Sequence, residues 1–119
     1  MERDYSLEYR AAAEEYAKRV QTELADSLHS VTLFGSVATG HADPDSDIDV
    51  LVVLKNDRPQ KTMKVYDVAL DIQLQYNVPL AVKVFTQTRW ENLSELGTSF
   101  IKDIQKHGVL LWGTKLQTK

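Results

Sequence analysis

Asp47 and Asp49 stand two residues apart at the head of a run, Ile48 to Leu54, that is apolar on both parities after Asp49. Side chains at i and i+2 of a strand share a face, with Cα atoms roughly 6.5–7 Å apart. Two ionised carboxylates aimed at one place repel. At ~4 Å and an effective dielectric near 20 that repulsion is ~4 kcal/mol. A proton, a basic side chain or a divalent cation must offset it. Magnesium suits two carboxylates completed by phosphate oxygens and water. Taken alone, the pair more often just begins a strand beside solvent.

Gly35-Ser36 changes that weighting. Ten residues separate this dipeptide from Asp47-Ile48-Asp49. Glycine tolerates positive φ and lets backbone approach a ligand closely. Ser36 offers a hydroxyl at the start of a short helix. The amides of Ser36, Val37 and Ala38 have no carbonyl one turn before them, which makes that end favourable for phosphate. A phosphate cradle followed by a strand with paired carboxylates is a coherent site for a metal-bound triphosphate. Two rival motifs fail. Gly35 to Gly40 has the glycine spacing of a P-loop, but His41 and Ala42 replace its Lys and Ser/Thr. Asp43, Asp45 and Asp47 imitate a calcium loop, but Ile48 replaces its glycine and Leu54 its bidentate Glu.

The elements that must position these residues follow from periodicity. Tyr9, Ala13, Tyr16, Val20 and Leu24 form one apolar stripe, predicting a helix from a cap at Ser6 to about Ser27. Val31 to Phe34 reads as a short strand ended by Gly35, and Ser36 to Thr39 as a turn or two of helix closed by Gly40. His41 to Ser46 is loop. Ile48 to Leu54 is a central strand covered on both faces. Val65, Val68, Ala69, Ile72 and Tyr76 predict a helix over about 60–76, stopped by Asn77. Leu80 to Thr86 is a strand. A helix capped by Thr86 or Thr88 runs to Gly97, another covers Ser99 to Lys106, and Val109 to Trp112 is a last short strand. The order α, β, α, β, α, β, α, α, β gives an α/β domain: a small mixed sheet backed by helices.

At 119 residues, 43% apolar and 26% charged, the chain suits one soluble domain over 1–119, with 113–119 as a polar tail. There is no cysteine, and no apolar run of the ~18 residues a membrane span needs. No signal region is recognised, so a cytoplasmic location is the default. A net charge of −3 argues against broad nucleic-acid binding, which needs a basic face.

The run Leu33-Phe34-Gly35-Ser36-Val37-Ala38-Thr39-Gly40, followed by Ser46-Asp47-Ile48-Asp49-Val50-Leu51-Val52, resembles the polymerase-beta-like nucleotidyltransferase superfamily. It looks most like the minimal nucleotidyltransferase (MNT) domains that pair as antitoxins with HEPN-domain toxins. The ending Ile104 to Leu111 is similar too, so the likeness covers nearly the whole chain. The resemblance implies the superfamily's fold. It implies magnesium held by Asp47 and Asp49, a triphosphate held at Gly35 and Ser36, and attack of an acceptor hydroxyl on the α-phosphorus. ATP is the expected substrate and a HEPN-domain protein the expected partner; a homo-oligomer is left open. The family often has a third carboxylate on a later strand. The matching strand here, Leu80 to Phe85, has none, and parity turns Ala81 or Lys83 toward the aspartates. Lys83 is therefore expected to contact a phosphate or pair with an aspartate. Asp67 and Asp71, on the preceding helix, are weaker candidates for the third acid. His41 could meet a phosphate, although a loop histidine without a task is the simpler reading.

Overall fold

The computed structural model describes residues 5–43 and 45–115, with side chains from Leu7 onward. α1 includes Ser6, whose side chain, with the cap expected of it, lies outside the described residues, as do the Tyr5 ring and residues 116–119 of the expected tail.

The order of elements is the expected one: α1 (Tyr5–Leu24), β1 (Leu28–Phe34), α2 (Gly35–Ala38), β2 (Ile48–Leu54), α3 (Pro59–Tyr76), β3 (Leu80–Thr86), α4 (Gln87–Leu96), α5 (Ser99–His107) and β4 (Val109–Gly113). Four strands form one sheet in the order β3-β2-β1-β4. β2 and β3 run parallel, with α3 as their crossover, while β1 is antiparallel to both β2 and β4. The sheet is mixed, and β2 and β1 are its interior strands. This is why Val50 to Leu54 and Val31 to Phe34 are buried on both parities.

The two faces carry separate cores. α1 and α3 cover Ile48, Val50, Val52 and Leu54 with Tyr16, Val20, Val65, Val68 and Ile72. On the opposite face Phe34, Leu51 and Val53 pack with Trp90, Ile101 and Ile104 of α4 and α5. The Tyr16 hydroxyl donates to the Val65 carbonyl at 3.0 Å, tying α1 to α3 in the interior. Helix ends follow local chemistry. Thr86 accepts from the Arg89 amide and Thr98 from the Ile101 amide, each capping a helix N-terminus. Asn77 ends α3 in the left-handed region, as its stop position predicts.

Three expectations need correction. β1 starts at Leu28 rather than Val31, because Ser30 is buried in the sheet with its hydroxyl hydrogen-bonded to the His29 ring at 3.0 Å. A polar residue satisfied by its neighbour does not interrupt a strand. Accordingly α1 ends at Leu24, followed by a 3-10 turn over Ala25–Ser27. Tyr76, at the end of the α3 stripe, is exposed past the edge of the core, and Trp90 is fully buried. Among the described residues, no helix is long and apolar enough to cross a membrane.

Candidate active site

β1 delivers Phe34 to the point where Asp49 sits opposite it on β2, and the chain then turns at Gly35 with φ +76°. That positive φ lets the backbone double back beneath the neighbouring strand. A Cβ added at Gly35 would overlap Oδ2 of Asp49 and stand 3.2 Å from its Cγ. The glycine turn and the Asp49 carboxylate therefore occupy one place, although thirteen residues of chain separate them. α2 is a single turn, its first residues Gly35, Ser36 and Val37 opening onto that place.

Asp49 is half-buried, and its carboxyl is pushed above the ordinary range. Burial is the main cause, repulsion from Asp47 adds to it, and attraction to Lys83 opposes it. The paired carboxylates thus meet the electrostatic conflict foreseen from their spacing. Lys83 is on β3 opposite Leu51, two residues along from the Ala81–Asp49 pair, and so shares the face of Asp49. Its Nζ stands 5.9 Å from the Phe100 ring centroid, and Phe100 meets Phe34 edge-on with centroids 5.6 Å apart. An aromatic wall thus flanks the acidic pair.

The loop before β2 is fastened to α2 by Ser46. The Ser36 hydroxyl donates to the Ser46 hydroxyl at 3.2 Å, and Ser46 accepts from the Asp43 amide at 2.9 Å. The Asp45 amide donates to Asp43 Oδ1 at 2.9 Å, an Asx turn. Ser46 was not singled out from sequence; the signal was Asp43-x-x-Ser46, a self-bonding turn placed just before the aspartates. His41 bonds Thr39 Oγ1 at 3.1 Å and is exposed, so it serves the local loop. Asp67 and Asp71 do not join the site. They are on α3, which covers the other face of the sheet, and Asp71 pairs with Arg19 at 3.1 Å.

Two carboxylates beside a glycine turn suit a divalent cation shared with a ligand's phosphates, since the pair alone supplies too few oxygens. No group of three or more His, Cys, Asp or Glu able to hold a metal is present among the described residues. The donor set thus fits a cation that arrives with a phosphate, not a preformed cage. A separate cleft of about 210 Å³ lies between β1, β4, α4 and α5. Thr32, Trp90 and Gln105 line it, and it includes none of Gly35, Asp47, Asp49 and Lys83.

A backbone turn, two carboxylates and an ammonium are thus gathered on one face of a mixed sheet. Residues 13–111 match the model of the nucleotidyltransferase domain family, and the chain belongs to that family of nucleotidyl-transfer enzymes. It is 33% identical over 96 residues to a Methanocaldococcus jannaschii protein named as a protein adenylyltransferase, covering 80% of this chain and 90% of that one. Its fold is similar to a chain of a toxin–antitoxin crystal structure with AMP-PNP: TM-score 0.56, 19% identity, 86% of this chain and 74% of that one. It is also similar to a chain of a complex between a tri-AMPylated HEPN toxin of Shewanella oneidensis and its MNT antitoxin. There the TM-score is 0.52 and the identity 15%, over 89% of this chain and 73% of that one.

Proposed function

We propose that this chain transfers AMP from ATP to a hydroxyl of a partner protein, with a HEPN-domain protein as that partner. The observation that carries the reading is the overlap between the space above Gly35 and the Asp49 carboxylate, which puts phosphate donors and acidic ligands at one point. In this reading the amides at Ser36 and Val37 hold the terminal phosphates, and Ser46 keeps Ser36 in position. Asp47 and Asp49 would hold magnesium, which supplies charge neutralisation on the triphosphate when bound. Lys83 contacts a phosphate from the same face and offsets part of the acidic charge. The acceptor oxygen forms a bond to the α-phosphorus, and the bond from that phosphorus to the pyrophosphate oxygen breaks. The acceptor's proton leaves to a carboxylate or to water. Positioning and charge neutralisation carry most of such a reaction, which suits a site without a nucleophilic side chain.

The relative named as a protein adenylyltransferase and the neighbour complexed with an AMPylated HEPN toxin support a protein acceptor. A second reading is favoured by one observation: Lys83 stands on the strand where the family often has a third acid. In it, the chain binds a HEPN-domain partner and transfers little or nothing. The test combines the purified chain, magnesium and a HEPN-domain protein with ATP labelled at either the α- or the γ-phosphate. The proposal expects label on the partner from α-labelled ATP alone, lost in Asp47→Ala and Asp49→Ala. A stable complex with no label would replace it with the binding reading. Label from γ-labelled ATP would overturn both.

A further inference from the structure

The face of α3 opposite its core side carries a second apolar stripe. Val65, Val68, Ala69 and Ile72 are buried, yet Met63, Tyr66, Leu70 and Leu74 are 64, 49, 55 and 74% exposed. At 3.6 residues per turn the exposed four fall within roughly an 80° sector, about 180° from the buried four. They extend over about 16 Å of helix. Together they expose on the order of 400 Å² of apolar side chain, at the level where a patch marks an interaction site rather than stray surface.

We infer that this stripe is a homodimer interface in which α3 packs antiparallel against α3 of a second copy. Two features favour a second copy as the occupant. The apolar positions are nearly palindromic: about a two-fold axis near residue 68, Met63 meets Leu74 of the second copy, and Tyr66 and Leu70 meet close to the axis. At the rim, Lys64 in the first half of the helix and Asp71 in the second are complementary across that axis, while Asp67, beside the axis, would face its own copy. Antiparallel pairing brings Lys64 of each copy to Asp71 of the other. Within one copy Lys64 is 3.5 Å from Glu23 and Asp71 is 3.1 Å from Arg19, both pairs exposed. The crossed contacts would join these pairs into two four-charge networks along the rim. Two such patches come to about 800 Å² of apolar side chain before their rims are counted, the size of a weak, concentration-dependent dimer. α3 covers the face of the sheet opposite Asp49 and Lys83, so both proposed nucleotide sites stay open in the dimer. The inference therefore stands apart from the proposed activity.

Light scattering coupled to size exclusion, over the micromolar range, reads the mass of the purified chain. The expected value is twice 13.5 kDa, about 27 kDa, with or without Mg-ATP. Leu70→Glu, with circular dichroism unchanged, is expected to return 13.5 kDa. Lys64→Asp and Asp71→Lys are each expected to dissociate alone, through repulsion at both rims. Mixed one to one, they should recover the 27 kDa species as a heterodimer, since both crossed contacts become attractive. A wild-type chain that stays monomeric overturns the inference and leaves the stripe for a different protein. A dimer that survives Leu70→Glu, or charge variants that do not complement on mixing, places the interface elsewhere and overturns it equally.

Discussion

Gly35→Ala separates backbone strain from damage to the site, because Gly40 supplies a matched control. Both glycines have nearly the same conformation, φ +76° and +78°, and an alanine at either is strained by about 1–2 kcal/mol. They differ in what a new Cβ meets. At Gly40 nothing lies within 4 Å, whereas at Gly35 the methyl would overlap the Asp49 carboxylate. Asp49 would have to leave its rotamer, adding about 0.5–1.5 kcal/mol. Melting curves should therefore fall by about 4–8 °C for Gly40→Ala and further for Gly35→Ala. Calorimetry with Mg-ATP should give near wild-type affinity for Gly40→Ala. For Gly35→Ala it should give at least about tenfold weaker binding, equivalent to about 1.4 kcal/mol. Wild-type affinity in Gly35→Ala would refute the convergence of turn and carboxylate. Equal loss in both variants would reduce the effect to general strain.

Asp49 has its carboxyl raised in the fold, so its contribution to stability is full below the unfolded pKa and is lost as pH rises through the folded one. Asp49→Asn should therefore melt higher than wild type at neutral pH without magnesium, by differential scanning fluorimetry, while losing transfer activity. Lys83→Ala should weaken Mg-ATP binding about tenfold at low salt and less at high salt, because an exposed ammonium acts through a screened field. Burial raises the Tyr16 hydroxyl far above its ordinary value, and the buried phenol donates to Val65. Its contribution is present below pH ~10 and lost above it, because the unfolded chain ionises there first. Tyr16→Phe should cost about 1–1.5 kcal/mol at neutral pH and blunt the alkaline fall in stability, as read by urea melts at both pH values.

Much of the fold was legible because its signals are local. The alternation in β2 and β3 and the stripes in α1 and α3 specify which side chains turn inward, and Thr86, Asn77 and Gly97 punctuate the helices. The start of β1 was hidden because Ser30 looks like turn chemistry, and only the His29 ring beside it makes its burial affordable in a strand. At the site, the spacing of Gly35, Ser36, Asp47 and Asp49 pointed to one pocket, and parity turned Lys83 to the same face. What spacing could not supply was topology. That α3 covers the opposite face, taking Asp67 and Asp71 away from the aspartates, depends on the hand of the β2–α3–β3 crossover. The exposed stripe of Met63, Tyr66, Leu70 and Leu74 was readable as a second periodicity in α3. It was masked by the stronger core stripe on the same helix.

Isothermal calorimetry of the wild-type chain and Asp49→Ala, with an ATP analogue resistant to cleavage between the α- and β-phosphates, tests the proposed site most directly. The site described here predicts one binding event per chain in magnesium, abolished by EDTA and by Asp49→Ala. No heat with wild type, or the same heat with Asp49→Ala and EDTA, would contradict it.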